Sequence, residues 1–532
     1  MFRLMIKKIL FTFLFLIYSI LCYSQAPSIQ WAKCLGGTES DRSYSVIQTD
    51  DGGYVIAGVT LSPNGDVTGL HSGLDDMWII KLDSLGGMVW KKCLGGSVAE
   101  GASAIRQTFD GGFIISGYAT SNDFDVAGGG FNGPLEDYWI VKTDSQCNIQ
   151  WQKCFGGTSL DWAKGILQTR DSNFVIAGWA ESTDGGIDTS YGGADAWIIK
   201  YNNTGNLLWK KMYGGSASDY IFSITESNTG SLYLAGMTTS NDINVNGNHG
   251  GEDAWALKLD ANGNLVWQKC IGGSAGDALS TVIMNSIGQI VLIGGTVSND
   301  GDITGNHGSG DALVVVLDTS GSIIWQNCYG GFGGDGGNSG SFTSDSGLVL
   351  AIGTNSYDNF VTCNNGLVDF YILKLDSIGN IQWDKCLGGT QDEEPLSIIQ
   401  TRDQGYIISG YTLSNDFDVS GNHSAFNEWD IWVVKLAPLG LEIEANEKSI
   451  DYVVRFNSLN NLDISFYSDY SEDLSVQIFD LAGKLVLDRL IKTEAGVNKK
   501  NLKTQYLSAG FYFVRLVTKH GSVTKKISLS AN

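Results

Sequence analysis

The sequence predicts an all-β protein, a seven-bladed β-propeller closed by its N-terminal strand and followed by a small C-terminal β-sandwich. Three observations predict it. The motif W-x-[KN]-[CM]-x-G-G occurs seven times, with its Trp at 31, 90, 151, 209, 267, 325 and 383. After intervals of 59 and 61 the spacing settles at 58 residues, and a regular period of this length marks a repeat architecture. Each period holds four short apolar runs separated by turn residues. Glycine is abundant at 69 residues and proline scarce at 5, which together with 15 Trp reads as many short strands joined by tight turns.

The first 24 residues read as a signal peptide. Arg3, Lys7 and Lys8 form its basic start, Ile9 to Leu21 its apolar run and Ser24 a small residue suited to cleavage. About 13 apolar residues are too few for a membrane-spanning helix, and Leu21 before Cys22 is too large for a lipoprotein signal. No later stretch is long and apolar enough to span a bilayer.

The repeat array then runs over residues 25–440. It opens with an isolated strand, Ile29 to Leu35. In the first full copy, strand A is Tyr44 to Thr49 and the turn Asp50 to Gly53 leads into strand B, Tyr54 to Gly58. A long polar loop follows. Strand C is Met77 to Leu82, and Asp83 to Gly87 turns the chain into strand D, Met88 to Leu94. Four antiparallel strands per repeat make a propeller blade. The seventh copy ends with strand C, Ile431 to Leu436, and no strand D follows. The isolated N-terminal strand is therefore expected to complete the last blade and hide both sheet edges.

The runs "YVIAG", "DMWIIKLD" and "MVWKK" resemble strands B, C and D of Kelch-like and quinoprotein-type propellers. The likeness covers about 410 residues and concerns the fold. The period exceeds that of a Kelch blade, with the excess in the B–C loop, and no quinone-cofactor site is apparent.

Composition changes after the array, since all 15 Trp lie before residue 441. Residues 441–450 read as a linker, and 451–532 as a separate domain. Its segments "VQIFDLAGKLV" (Val476 to Val486), "LSAGFYFVRL" (Leu507 to Leu516) and "TKKISL" (Thr524 to Leu529) resemble the type A sorting domain of type IX secretion substrates. The positions that carry the likeness are Asp480, Gly483, Lys484, Gly510, Tyr512, Lys525 and Lys526. The segment "FNSLNNL" (Phe456 to Leu462) departs from the Tyr-Pro-Asn-Pro-like opening of that family. The resemblance implies a Gram-negative bacterial source and export across the outer membrane. It also implies the secretion machinery and its sortase as partners, and removal of the domain outside the cell.

Eight cysteines remain after the signal segment. Cys34, Cys93, Cys154, Cys270, Cys328 and Cys386 share one repeat position, which Met212 fills in the remaining copy. A residue that Met can replace reads as a core filler, so these cysteines are expected to be reduced and buried. The pattern gives Cys147 and Cys363 no role.

Chemistry is harder to find. Four of the five His, namely His71, His249, His307 and His423, share one loop position, which argues for structure rather than catalysis. No nucleophile elbow, HExxH or P-loop is present. The turn T-x-D-x-G at Thr49, Thr108 and Thr401 resembles a sialidase Asp-box without its aromatic residue. Arg170 and Arg402 fall at A–B turn tips, the wrong place for a carboxylate-binding cluster.

Two acidic patterns stand out. The B–C loops read S-N-D-x-D-[VI]-x-G-N-H in the best copies. Asp123, Asp125, Asp242, Asp253, Asp300, Asp302, Asp311, Asp416 and Asp418 in these loops are either calcium ligands or Asx-turn residues. Four residues after each Gly-Gly pair stands an acid: Asp41, Glu100, Asp161, Asp219, Asp277, Asp335 and Glu393. These either cap their own D–A turns or ring the channel mouth and bind calcium or a cationic group. Residues 25–440 carry 19 Lys and Arg against 46 Asp and Glu, a net of −27, which disfavours nucleic acid as a partner. The whole reads as a secreted or cell-surface binding protein, non-enzymatic, for a surface glycan or protein ligand. A polysaccharide hydrolase and a structural surface or matrix component are the alternatives.

Overall fold

The computed structural model describes residues 25–438 except 72–73, 127–134, 286, 359 and 425–427. Further on it describes 452–456, 461–468, 471, 473–479, 484–494, 496–504, 507–508, 510–518 and 521–529. The expected signal segment, with Cys22, and the expected linker 441–450 lie outside the described residues. The chain divides into two compact units, Met1–Pro438 and Leu439–Asn532.

Among the described residues the first unit is all-β apart from one short 3-10 turn, and its strands form seven four-stranded antiparallel sheets, a propeller-like arrangement. The first sheet joins Asp41–Gln48, Tyr54–Thr60, Asp76–Leu82 and Met88–Leu94 in that order. Strand D has the bounds the sequence predicts. Strand A starts three residues earlier than expected, because Asp41 is itself paired, opposite Thr60. Strand B is buried throughout. A strand covered on both faces has no solvent side, which is why "YVIAGV" shows no polar alternation.

The first strands of successive sheets are Asp41–Gln48, Glu100–Gln107, Asp161–Gln168, Asp219–Glu226, Asp277–Met284, Asp335–Phe342 and Glu393–Gln400. Each packs against the next, and the seventh packs against the first. The seventh sheet is completed from the other end of the array. Ile29–Leu35 pairs with Asp430–Leu436, setting Cys34 opposite Trp432 and Leu35 opposite Ile431.

Two kinds of contact join neighbouring sheets. The outer-strand Trp packs on the next sheet, with ring centroids 6.0 Å apart for Trp31 and Tyr54, 6.1 Å for Trp90 and Phe113, and 5.4 Å for Trp383 and Tyr406. Nearer the axis, serine hydroxyls accept from the neighbouring strand: Val46 N–H donates to Ser397 (3.1 Å), Val282 to Ser223 (3.1 Å) and Ile398 to Ser339 (3.2 Å). Each innermost strand also carries a one-residue bulge, at Tyr44, Ser103, Lys164, Phe222, Ser280, Asn338 and Leu396. A bulge turns one side chain out of the regular alternation.

The cysteine expectation needs one correction. Cys34, Cys93, Cys154, Cys270 and Cys328 are free and buried, but Cys386 is bridged to Cys363, with Cα atoms 5.4 Å apart. The repeat cysteine lies against the B–C loop of its own sheet, as Cys328 Sγ shows by contacting Thr304 O at 3.5 Å. The next loop position is a positive-φ glycine in other copies (Gly69, Gly305, Gly421), so no second thiol is available there. In the sixth copy that position is Cys363. Cys147 is free and buried and takes the positive-φ place (59°) in a C–D turn where Gly86 and Gly321 stand elsewhere.

The second unit consists, among its described residues, of two sheets. One joins Tyr452–Phe456, Leu462–Ser468 and Gly496–Leu502, and the other Leu485–Lys492, Asp473–Phe479, Gly510–Thr518 and Gly521–Leu529. Leu462 and Ile464 of the first share a core with Leu474, Val476, Ile478, Tyr512, Val514 and Leu516 of the second. Alternation at 512, 514 and 516 is that of a strand with one buried face.

Deleting residues 25–37 removes the fourth strand of the seventh sheet and leaves Asp430–Leu436 as an open edge. The deleted protein should aggregate or lose its cooperative unfolding transition, as followed by calorimetry. A soluble variant that melts like the parent would contradict the role given to this strand.

Peptide mapping without reduction should find one bridge, Cys363–Cys386, with the other described cysteines alkylated only after unfolding. Cys363→Ser should cost about 3 kcal/mol of stability, given a closed loop of 23 residues. An unchanged denaturation midpoint would count against the bridge.

Candidate functional site

The D–A links and B–C loops share one end of the sheets. The seven acids predicted there each form the first residue of an innermost strand, and none is more than 3% exposed. They do not stand open at a rim. Each accepts the N–H of the second glycine four residues earlier: Gly37 to Asp41 (2.8 Å), Gly96 to Glu100 (2.6 Å), Gly157 to Asp161 (2.8 Å), Gly215 to Asp219 (2.6 Å), Gly273 to Asp277 (2.9 Å), Gly331 to Asp335 (2.7 Å) and Gly389 to Glu393 (2.6 Å). The first serine of the B–C loop adds its hydroxyl in the Asp copies, as Ser62 does to Asp41 at 2.7 Å and Ser240 to Asp219 at 2.8 Å. The backbone N–H of the same serine also reaches the acid in several copies, Ser121 to Glu100 at 2.9 Å, Ser182 to Asp161 at 3.2 Å and Ser414 to Glu393 at 3.2 Å.

A second set of carboxylates, only partly noticed in the sequence, faces the first. Strand C begins with Asp76, Asp137, Asp195, Asp253, Asp311, Asp369 or Asp430, all fully buried. The signal was present, since an Asp opens strand C in every copy. The first glycine of each Gly-Gly pair lies between the two sets. A Cβ added to Gly36 would stand 2.4 Å from Asp41 Oδ2 and 2.6 Å from Asp430 Oδ1, so only glycine fits. The loop histidines serve these aspartates. His71, His249, His307 and His423 place Nδ1 2.6–2.8 Å from Oδ2 of Asp76, Asp253, Asp311 and Asp430, and their backbone N–H groups donate to the same oxygen. The other oxygen, Oδ1 of Asp76, Asp195, Asp253, Asp311, Asp369 and Asp430, meets no donor among the described residues.

Burial raises Asp41, Asp195 and Asp369 most. Asp41 is pushed up to about 7 against the hydrogen bonds of Thr60, Ser62 and Gly37. Asp195 is pushed up to about 6 and Asp369 to about 7, first by burial, with Asp219 and Glu393 respectively adding repulsion. Paired carboxylates with a raised pKa are what a glycoside hydrolase uses, but these pairs are closed to water and to substrate.

The calcium candidates separate into two roles. Asp123, Asp242, Asp300 and Asp416 accept the backbone N–H of Ser97, Ser216, Ser274 and Thr390 at 2.7–2.9 Å, the Asx-type capping of a D–A link. Asp125 and Asp302 approach the histidine of the preceding sheet, His71 Nε2 at 3.6 Å and His249 Nε2 at 3.9 Å. Asp253 and Asp311 are held by His249 and His307 as above. Asp418 adds negative charge beside Asp369. Among the described residues no three His, Cys, Asp or Glu side chains gather as a metal-holding group.

At the opposite end, the T-x-D-x-G turns are clamped by a buried lysine of strand C. Lys81 bonds Asp51 (2.7 Å), Lys142 Asp110 (2.9 Å) and Lys435 Asp403 (3.1 Å). Burial opposes ionisation of Asp51, but the hydrogen bonds from Lys81, Thr49 and Gly53 hold it at about 2. Arg402 bridges to the next turn through Thr49 O and Asp50, and Arg170 reaches Asn228.

In the second unit, Tyr512 is buried and its hydroxyl donates to Ser508 O at 2.8 Å. Lys484 is exposed; Gly510, Lys525 and Lys526 lie in the two paired C-terminal strands. Asp480 and Gly483 lie outside the described residues.

Residues 458–530 match the family model of the secretion system C-terminal sorting domain. The chain is 21% identical over 318 residues to "Regulatory protein FlaEY" of Caulobacter vibrioides, covering 57% of this chain and 30% of that protein. It thus spans less than a third of that relative's length. Among solved structures, it is similar to an apocarotenoid oxygenase variant from Synechocystis at 13% identity and a TM-score of 0.36, over 71% of this chain and 96% of that one. It is also similar to the Bombyx mori GH32 beta-fructofuranosidase at 9% identity and a TM-score of 0.26, over 70% and 87%. The sorting-domain match marks export by type IX secretion, to the cell surface or the extracellular space. No helix among the described residues is long and apolar enough to cross a membrane.

The buried pairs predict a pH dependence. Asp369 keeps its proton to about pH 7 when folded and to about pH 4 when unfolded. The folded state therefore binds more protons in that window, so stability falls as pH rises through it and levels off above. Asp369→Asn keeps an acceptor for Asn365 and offers Glu393 a permanent donor. The variant should melt about 2 °C or more above the parent near pH 8 and coincide with it near pH 4.5. Parallel curves across the range would rule out the raised Asp369 as the source of the pH dependence.

Proposed function

We propose that the first unit is a seven-bladed, Kelch-like propeller locked by the strand Ile29–Leu35, and that it acts outside the cell as a non-catalytic binding protein for a surface glycan or protein ligand. The type IX machinery and its sortase act on the C-terminal domain, and the repeat array is what they deliver. The pairing of the first strand with the last sheet supports the closed ring.

One observation carries the binding reading. The groups best suited to acid–base chemistry, the repeated carboxylates and histidines, are occupied in holding links and loops together. What this leaves at the loop end is a rigid frame with long, exposed segments. Loops of this length on a compact frame are usually functional.

The test is a glycan and cell-surface binding screen of the full-length secreted protein, run beside a polysaccharide hydrolysis panel, each with calcium and with chelator. Binding without turnover is the expected result. Release of reducing sugar, abolished by heat denaturation, would replace this reading with a hydrolase. A calcium requirement for binding would give the Asp123, Asp242, Asp300 and Asp416 loops a ligand role in addition to their capping role.

A further inference from the structure

We infer that the central channel is a ligand site for a small hydroxylated carboxylate, the chemistry of a uronic acid unit. This rests on the binding-protein reading above and names its site and ligand class.

The channel holds a cavity of about 380 Å3, lined by the bulge residues of all seven innermost strands. That size suits a small ligand. The bulge positions are equivalent in the frame, yet they carry Tyr44, Ser103, Lys164, Phe222, Ser280, Asn338 and Leu396. A task shared by seven equivalent positions is met with one residue type, as the acid three residues earlier shows. Residues that differ at every turn of the ring face something that is not sevenfold.

Charge gives the ligand its sign. The first unit is strongly acidic, but among the described residues no carboxylate lines the cavity. The charged side chains that do are Lys164 and Arg106, on neighbouring strands. Lys164 holds its ammonium 3.6 Å over the ring of Trp162. Burial lowers it to about 8, only partly offset by Glu136, which is not part of the lining. Drawing an ammonium out of water is costly; Glu136 offsets that cost only in part, and an incoming anion offsets more of it. Arg106 gives one N–H to its neighbour Ile105 O at 2.8 Å, which leaves the rest of its fork for a second contact.

The remaining lining sets the ligand's other features. Ser103 offers a hydroxyl. Thr281 and Ser341 donate theirs to Asn338 O and Phe342 O and keep oxygens as acceptors. Ser339 keeps its proton to donate, and Asn338, whose N–H groups go to Glu394 and Pro395 O, presents its Oδ1. Tyr44 and Phe222 present rings to the cavity. Carboxylate, hydroxyls and an apolar ring face are together the surface of an acidic sugar.

The test is calorimetric titration of the full-length protein with D-glucuronate, D-glucose and acetate. Glucuronate should bind, and both glucose and acetate should bind at least tenfold more weakly, because each lacks half of the recognised chemistry. Lys164→Gln should weaken glucuronate about tenfold or more, and Arg106→Gln should do likewise. Lys210→Gln, on an outer strand, should leave it unchanged. Melting curves check that each variant folds, and Arg106→Gln stands in if Lys164→Gln does not. No glucuronate binding up to about 10 mM, equal binding of glucose, or affinity untouched by both substitutions would each overturn the inference. If the surface screen still finds a ligand whose binding neither substitution alters, the binding-protein reading stands and the channel assignment alone fails.

Discussion

The frame depends on one interaction, the carboxylate that starts each innermost strand. Asp219 shows its reach. It takes the N–H of Gly215 from the incoming link, the hydroxyl of Thr238 from the end of strand B and the hydroxyl of Ser240 from the start of the loop. The incoming link and the junction of strand B with its loop, about twenty residues on, are thereby fixed to one buried side chain. Removing it would strand an amide and two hydroxyls away from water, at about 1–3 kcal/mol for each group left without a partner. The bond from the glycine N–H recurs in all seven copies, and with it the acid sets the geometry of the loop end.

The other end of the sheets uses a different device for a similar purpose. There a buried lysine from strand C closes on the turn between strands A and B. Five of the seven sheets carry this clamp, through Lys81, Lys142, Lys200, Lys374 and Lys435, and are thus polar and specific at both ends and apolar between them. The apolar middle, with Trp and Tyr packed from one sheet to the next, supplies burial energy. The ends supply register, because a one-residue slip would misplace both the acid and the lysine.

Much of this was legible in the sequence, because it repeats. The Trp-Gly-Gly period gave the number of copies, and the bounds of Met88–Leu94 and Ile29–Leu35 follow from it directly. The acids were visible as a pattern, but their burial was not, since an Asp before a strand reads equally well as a cap or as a rim. The structure shows the cap, together with a second buried Asp that the pattern of strand C already contained. Features that occur once were the hardest to read. Cys363 takes the place of a loop glycine in a single copy, so averaging over copies hides it. Lys164 and Arg106 occupy positions where the residue type changes from copy to copy along the array, and the bulge that carries Lys164 leaves no residue type by which to recognise it.

The strand Ile29–Leu35 also sets the order of assembly. Its partner, Asp430–Leu436, lies at the far end of the array, so the pairing has about the longest loop the unit can close, and contacts of that kind form late and slowly. Until the last sheet exists, the first strand has no partner and the seventh sheet stays incomplete. The other six sheets are each built from four strands consecutive in sequence, so none of them needs this long-range pairing. The seventh sheet alone joins the two ends of the array, so it can be completed only by a chain that has been made through Leu436.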